Sequence, residues 1–286
     1  MKIILYLCLF SLFLLFIIKD TLSYLPDGFL HIYILDIGQG DSTLIETPEG
    51  RYILIDAGED SYKLQTELQK IIPWYKKSLD IIILTHPDKD HYYGFTDMEK
   101  TYTPKLTLLS NILKEAQYSV LVENLSKVSP ISFVDSTTDL QIEDISLDAL
   151  SPFTKKYSKN YEIINNGSLT YKLQYKDFSM LLTADIETET IEILTTLYGT
   201  YLDSNILKAS HHGSKNGYTD TFLKYISPEY TTISAGLNNK YGHPNKETLS
   251  ALEKIKSIPL NTIELGTIHI KTDGKTIEIC RELPIC

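Results

Sequence analysis

Ile81-Ile82-Ile83-Leu84-Thr85-His86-Pro87-Asp88-Lys89-Asp90-His91 joins an apolar run to a hexapeptide in which four of six residues are able to bind a metal ion. The run reads as a buried strand, and the hexapeptide as the loop that leaves it. Imidazole nitrogen and carboxylate oxygen suit zinc, and also manganese or iron, so the residue types point to a divalent cation without naming it. Pro87 lacks a backbone donor and biases the residue before it away from helix, which keeps the loop extended where ligands must converge. A loop passing from strand to helix can turn His86 and Asp88 toward one point and Asp90 and His91 toward a second. A polar surface turn would account for one such histidine but not for this density of ligands.

Outward from this stretch the same arrangement returns. Leu169 to Tyr175 and Phe178 to Thr183 read as a hairpin around Lys176-Asp177, and its second arm ends at Asp185, followed by a helix from Glu187 to Leu197. By itself Asp185 is a helix N-cap. The strand Ile206 to Ala209 delivers His211-His212, and the strand Tyr230 to Ser234 leads to His243. Strand, then ligand-type residue, then helix thus recurs, and one edge of a sheet would gather all these residues. His31 and His269 lie inside strand patterns and read as structural histidines.

Upstream, Phe29 to Asp36, Thr43 to Thr47 and Tyr52 to Ile55 form a hairpin series with turns at Gly38-Gln39-Gly40 and Pro48-Glu49-Gly50. The two glycines resemble a phosphate-cradling loop, but no helix-period segment follows them, which removes that reading. The third strand ends at Asp56, which suits either a cap for the helix Tyr62 to Ile72 or a carboxylate orienting a metal-bound histidine. Beyond the hexapeptide, Lys105 to Leu109, Ile131 to Val134 and Ile145 to Leu150 read as strands, with a helix at Ser119 to Leu125 and a turn at Asn165-Asn166-Gly167-Ser168.

Ile3 to Ile18 is apolar except for Ser11, with Lys2 before it and Lys19-Asp20 after it. It is apolar all round and lacks a small-x-small cleavage site, so residues 1–24 read as a signal peptide or a membrane anchor, and residues 25–286 as a single extracytoplasmic domain with no Gly/Ser/Pro-rich linker. The formal net charge of -10 excludes nucleic-acid binding through a general basic surface. It leaves a nuclease open, because bound cations supply positive charge locally. Cys8 lies within the apolar segment, and Cys280 and Cys286 either close a short disulfide or remain free thiols. The twenty tyrosines are scattered and read as half-buried strand and surface residues.

Taken together, Leu35-Asp36-Ile37-Gly38-Gln39-Gly40-Asp41-Ser42, Leu54-Ile55-Asp56-Ala57-Gly58, the hexapeptide with Thr85, Leu182-Thr183-Ala184-Asp185, Lys208-Ala209-Ser210-His211-His212-Gly213-Ser214 and Asn239-Lys240-Tyr241-Gly242-His243-Pro244 resemble the metallo-β-lactamase superfamily. More narrowly, they are similar to the C-terminal domain of ComEC-type DNA-uptake proteins and their stand-alone relatives. The resemblance runs from Phe29 to Ile279 in the family's motif order. It implies an α/β fold, a four-layer αβ/βα sandwich with the metal site in the cleft between two sheet edges. It also implies that His86 and Asp88 hold one metal and Asp90 and His91 a second, that Asp185 bridges them, that His243 is the last histidine ligand, and that His212, ahead of His211, lies near the reacting group. Asp56, His211 and Ser168 remain candidates to orient these groups. The broad superfamily has histidine at the Asp88 position and a further histidine where this chain has the Asn165 to Ser168 turn, so one metal or two are expected, zinc first and manganese second.

Divalent cations lower the pKa of a water they hold and polarise the oxygen of an electrophile, and a pair of them suits a phosphodiester. The expected function is therefore a metal-dependent hydrolase, a phosphodiesterase or nuclease acting on DNA or another phosphodiester, with Asp90 and His212 as catalytic residues. A hydrolase of lactone, lactam or choline-phosphate ester substrates and a non-catalytic binding module with a partial metal site are the alternatives. The expected partners are the phosphodiester and, through the N-terminal segment, the membrane.

Overall fold

In the strand Tyr52–Ile55, Ile53 and Ile55 face one side, Tyr52 and Leu54 the other, and all four are buried. Such a strand needs a packed layer on each face, and this requirement sets the architecture. The computed structural model describes residues 2–23, 25–111, 119–153, 164–280 and 283. Helix α1 (Lys2–Ser23) precedes β1 (Leu30–Ile34), β2 (Thr43–Glu46) and β3 (Tyr52–Ile55); α2 (Ser61–Ile71) leads to β4 (Ser78–Leu84), a one-turn α3 (Lys89–Tyr92) and β5 (Thr103–Ser110). Then come α4 (Ser119–Ser126), β6 (Ile131–Val134), β7 (Leu140–Ile142), β8 (Ile145–Ser151) and the hairpin β9 (Thr170–Tyr175) and β10 (Phe178–Leu182). The order continues α5 (Thr188–Tyr198), β11 (Ile206–Lys208), α6 (Asp220–Ile226), β12 (Tyr230–Ile233), α7 (Lys246–Lys254), β13 (Ile258–Asn261), α8 (Thr262–Leu265), β14 (Ile268–Thr272) and β15 (Ile277–Cys280).

These strands form two sheets, ordered β15-β14-β1-β2-β3-β4-β5-β6 and β13-β12-β11-β10-β9-β8-β7. Between them Ile32, Ile34, Ile53 and Ile83 of the first meet Leu147, Leu173, Met180 and Ile206 of the second. Each such side chain stabilises the fold by roughly 1.5–3 kcal/mol relative to exposure. On the outer face of the first sheet, α2 buries Leu64, Leu68 and Ile71 against Leu44, Leu54 and Ile82. On the second, Ile191, Leu194, Phe222 and Leu252 from α5, α6 and α7 cover Leu181, Leu207 and Ile233. The result is the expected αβ/βα sandwich. β3 to β6 run parallel in one sheet and β10 to β13 in the other.

Several expectations are corrected. Ligand-type residues gather from two sheets and not from one edge of a single sheet: β4 belongs to the first, while β10, β11 and β12 belong to the second. The N-cap of α2 is Asp60, whose carboxylate accepts from Tyr62 N and Lys63 N, so Asp56 is released from that role. Asp185 is not a cap either, because Glu187 holds that position for α5. The short strand β7 had no signal of its own, since its partner β8 supplies its pairing. α1 is helical, with Ile4, Leu7, Phe10 and Phe13 exposed. Among the described residues no helix is long and apolar enough to cross a membrane, so the expected spanning anchor is not supported. Cys8 is free and Cys280 is disulfide-bonded; Cys286, its expected partner, lies outside the described residues.

Candidate metal centre

A parallel strand ends with its chain turning away, and the residue at that turn is free to project beyond the sheet. Thr85 and His86 follow β4 in this way, and Asp185, His211-His212 and His243 follow β10, β11 and β12. Several of these turns need left-handed backbone at residues other than glycine: Asp56 (φ 57°), Ala184 (φ 47°), His211 (φ 48°) and His212 (φ 55°). Uncommon backbone of this kind persists where surrounding structure holds it and tends to gather at functional sites. The β1–β2 loop closes over residues 85–91. A Cβ on Gly40 would lie 2.0 Å from the carbonyl oxygen of Asp90, so this glycine serves close backbone approach, and Asp41 N donates to that same oxygen at 3.2 Å.

Asp185 lies at the middle of the centre. Its Oδ2 is 3.2 Å from His91 Nε2, 3.3 Å from His212 Nε2, 3.9 Å from His211 Nε2 and 4.0 Å from His86 Nε2. His212 Nε2 is also 3.4 Å from Asp90 Oδ2. Three overlapping triads hold ligand atoms within 4.8 Å of one another: His86, His91 and Asp185; Asp90, His91 and His212; Asp41, Asp185 and His212.

The orientation of the histidines follows from what holds their other nitrogens. Asp56 accepts from Thr85 N at 2.8 Å, from Thr85 Oγ1 at 2.7 Å and from His91 Nδ1 at 2.8 Å. Since the Thr85 hydroxyl donates to Asp56, it accepts from His86 Nδ1, 3.0 Å away. Asp41 Oδ1 and Ser234 O each lie 3.1 Å from His212 Nδ1. All three rings therefore carry a proton on Nδ1 and turn Nε2 inward. Those three Nε2 atoms and Asp185 Oδ1 are buried without a hydrogen-bond partner. Unpaired buried polar atoms are costly, and soft and hard donors facing one point are what a divalent cation takes up. The residues fit the metal that their types imply.

Burial and the facing charges set the protonation of these groups. Burial would raise the Asp185 carboxyl, but His212 and His91 hold it well below its ordinary value. Burial opposes charge on His91 and His212, yet facing Asp185 raises both well above the usual imidazole value, with Asp56 and Asp41 adding to it. Burial pushes His86 down to about 3 and raises Asp56 and Asp88. Burial would also raise Asp41, but Lys208 and then His212 hold it at about 2.

The structure brings together His86, Asp90, His91, Asp185 and His212. Asp90 and His91, one expected pair, share a triad with His212, while His86 shares one with His91 and with Asp185, the residue expected to bridge; the ring centroids of His86 and His91 are 4.0 Å apart. Asp88 sits at the start of α3, its side chain 38 % exposed and 3.7 Å from His86 Nε2, outside the triads. His243 is also outside them, its ring 5.5 Å from that of His211 and 6.2 Å from that of His212, and burial lowers it to about 4. Asp56 orients the histidines as one of its two readings proposed. His211 Nδ1 faces Glu187 Oε1 at 3.2 Å. Ser168 donates to Asn165 O and accepts at its carbonyl from Ser151, so it shapes its turn and does not touch the ligands. That turn is tied to the centre by Leu169 N donating to Thr85 O, and Asn166 Oδ1 accepts from Glu187 N.

Asp41 and Lys208 are residues of this centre that sequence reasoning did not single out: Asp41 belongs to one triad and Lys208 pairs with Asp41. Both stand inside motifs quoted for the family resemblance, but neither spacing shows that Asp41 faces a histidine of the other sheet.

Compared with known proteins, residues 35–236 match the family described as the metallo-beta-lactamase superfamily. The chain is 29% identical over 282 residues to ComE operon protein 3 of Bacillus subtilis, covering 92% of this chain and 35% of that protein. It is 27% identical over 248 residues to Recombination protein 2 of Haemophilus influenzae, covering 86% and 29%. The chain thus spans about a third of the length of the curated relatives it matches. Among solved structures, the metallo-beta-lactamase fold protein YhfI from Bacillus subtilis superimposes with a TM-score of 0.55 at 12% identity, over 82% of this chain and 96% of that one. This last likeness concerns the fold.

Proposed function

The chain belongs to the metallo-beta-lactamase superfamily, and on that footing we propose that it is a divalent-metal-dependent phosphodiesterase or nuclease acting on DNA or another phosphodiester. The observation that carries the proposal is the convergence of His86 Nε2, His91 Nε2, His212 Nε2 and Asp185 Oδ1, all buried and unpaired, on one region. Cations bound there, zinc first and manganese second, would polarise phosphoryl oxygens and neutralise developing charge. His86, His91 and Asp185 would hold them, with Asp90 and Asp88 beside these and His243 at the rim.

The chain's own groups then divide the proton chemistry. Burial opposes charge on Asp90, but His212 and His91 hold it ionised, so its Oδ2 is available to hold a cation and to orient a water by accepting its hydrogen bond. His212 keeps its Nδ1 proton on Asp41, and because Asp185 and Asp41 favour its charged form it also carries a proton on Nε2, which faces Asp90 and Asp185 and is placed to donate to a leaving oxygen. Asp56 keeps His86 and His91 from rotating. The net charge of -10 is compatible with an anionic substrate because cations supply the local attraction. The name of Recombination protein 2 supports nucleic acid as the substrate class. The exposed apolar side chains of α1 support a role of residues 1–24 in export or in contact with a membrane, which would place the domain of residues 25–286 outside the cytoplasm.

The deciding experiment is hydrolysis of bis-p-nitrophenyl phosphate and of single- and double-stranded DNA, with zinc or manganese, beside an Asp90→Ala/His91→Ala control. Metal-dependent cleavage that disappears in the control is expected. Bound metal without cleavage of any phosphodiester would overturn the substrate class in favour of a carboxylic ester such as a lactone, or a lactam. Absence of both would leave a non-catalytic binding module.

A further inference from the structure

In β11, Ile206 faces the core between the sheets and Leu207 faces the helices, so Lys208 points back between the sheets. A lysine is rarely placed there, and this one is 2 % exposed. Its Nζ crosses from the second sheet to the β1–β2 loop of the first, 2.7 Å from Asp41 Oδ1 and 2.9 Å from Oδ2, with Ala209 O at 3.2 Å as a third acceptor. A buried ion pair of this kind adds little stability over apolar packing, so folding alone gives no reason for it.

Asp41 faces a choice. Together with Asp185 and His212 it forms one of the ligand-capable triads, yet its Oδ1 also accepts from His212 Nδ1 at 3.1 Å. We infer that Lys208 is a positioning residue that decides this choice: by covering both Asp41 oxygens it keeps Asp41 on His212 Nδ1 and out of a cation's coordination shell. His212 is thereby held with Nε2 toward Asp90 and Asp185. The inference rests on the phosphodiesterase reading only for the reaction in which His212 takes part.

The test uses the 286-residue chain and two variants of it. Lys208→Met leaves Asp41 buried without its cation; Lys208→Met with Asp41→Asn removes that charge while keeping a carbonyl oxygen for His212 Nδ1. Lys208→Met is expected to lower metal-dependent turnover of bis-p-nitrophenyl phosphate about 10- to 100-fold, the usual effect of disturbing a group that orients a ligand. The double variant is expected to recover most of it. In protein labelled with 15N-histidine, with and without zinc, the His212 Nδ1 proton is identified by its absence from a His212→Asn variant. It should be observed in the wild type and the double variant and be lost to exchange with water in Lys208→Met. An unchanged Nδ1 proton in Lys208→Met, or a double variant as impaired as the single one, overturns the inference. If the wild type cleaves no phosphodiester, the proton signal still decides the role of Lys208, so the two failures are separable. If Lys208→Met does not fold, the double variant must fold and retain the signal; its loss there overturns the inference equally.

Discussion

Asp56 Oδ2 accepts from His91 Nδ1 at 2.8 Å, and this contact turns Nε2 of that ring toward Asp185 Oδ2, 3.2 Å away. The carboxylate is 1 % exposed and takes three donors, with Thr85 supplying the other two. Asn in its place has one acceptor oxygen and brings two donors against groups that already donate. Asp56→Asn is expected to weaken metal binding about 10- to 100-fold, measured by titration with zinc. Unchanged affinity would show that packing alone orients His91.

Asp185 is the carboxylate that His86, His91, His211 and His212 share. Its loss removes a ligand and the charge that lets His91 and His212 face each other, so Asp185→Ala should reduce bound metal after gentle purification more than Asp56→Asn does. Metal content by elemental analysis of both variants checks the order; a reversed order would remove Asp185 from the middle of the centre.

Metal removal should also register in stability. A ligand that binds only the folded chain stabilises it by about 2.7 kcal/mol at one hundred times its Kd. At roughly 2–4 °C of Tm per kcal/mol for a domain of this size, a chelator should lower the thermal midpoint by about 5–11 °C. A midpoint unaffected by chelator and by added zinc would argue that no cation occupies the centre.

Gly40 tests the closure of the β1–β2 loop. A methyl group there would come 2.0 Å from the Asp90 carbonyl oxygen, and the backbone at φ +110° is itself unfavourable for alanine. Gly40→Ala should destabilise the chain by about 1–3 kcal/mol in denaturant unfolding, as overpacking does, and should reduce hydrolysis by moving Asp90. A neutral effect on both would mean that the loop shifts freely.

Away from the centre, His269 is 0 % exposed between His31, whose Nδ1 is 2.9 Å from its Nε2, and Tyr33, whose ring stacks on it at 4.2 Å. Burial, with His31 and Lys271 adding to it, pushes this imidazole down to about 3. The unfolded chain, with histidine near 6.5, therefore binds the extra proton first. The resulting stability is complete above pH 6.5 and is lost progressively as the pH falls toward 3. Urea unfolding of the wild type and of His269→Phe between these limits should show a shallower pH slope in the variant; equal slopes would assign the acid sensitivity elsewhere.

Much of the fold was legible because it is local. Ile81 to Leu84 and Tyr52 to Ile55 are apolar runs whose composition and length mark buried strands, and each lies in a strand at those bounds, except that β4 begins earlier at Ser78; Ile131 to Val134 is also a strand, but a half-exposed one at the sheet edge. The candidate residues of the centre were legible for the same reason: His86, Asp90, His91, Asp185 and His212 stand in the turns that follow apolar runs, and backbone geometry sends such residues past the end of a sheet. Asp185 shows the limit of that reading, since a carboxylate before a helix looks like a cap until Glu187 is found in its place.

What tertiary structure decided is who faces whom. Asp56 and His91 are 35 residues apart, Asp41 and Lys208 167, and Asp41 and His212 171. Periodicity along one strand carries no information about the register in which a second sheet is laid over it, and a shift of one residue would have turned Lys208 away from Asp41 and toward the helices. The types of residue needed for a metal centre are written along the chain; which nitrogen of each histidine faces inward, which carboxylate orients it and which lies among the inward nitrogens depend on two sheets packing face to face.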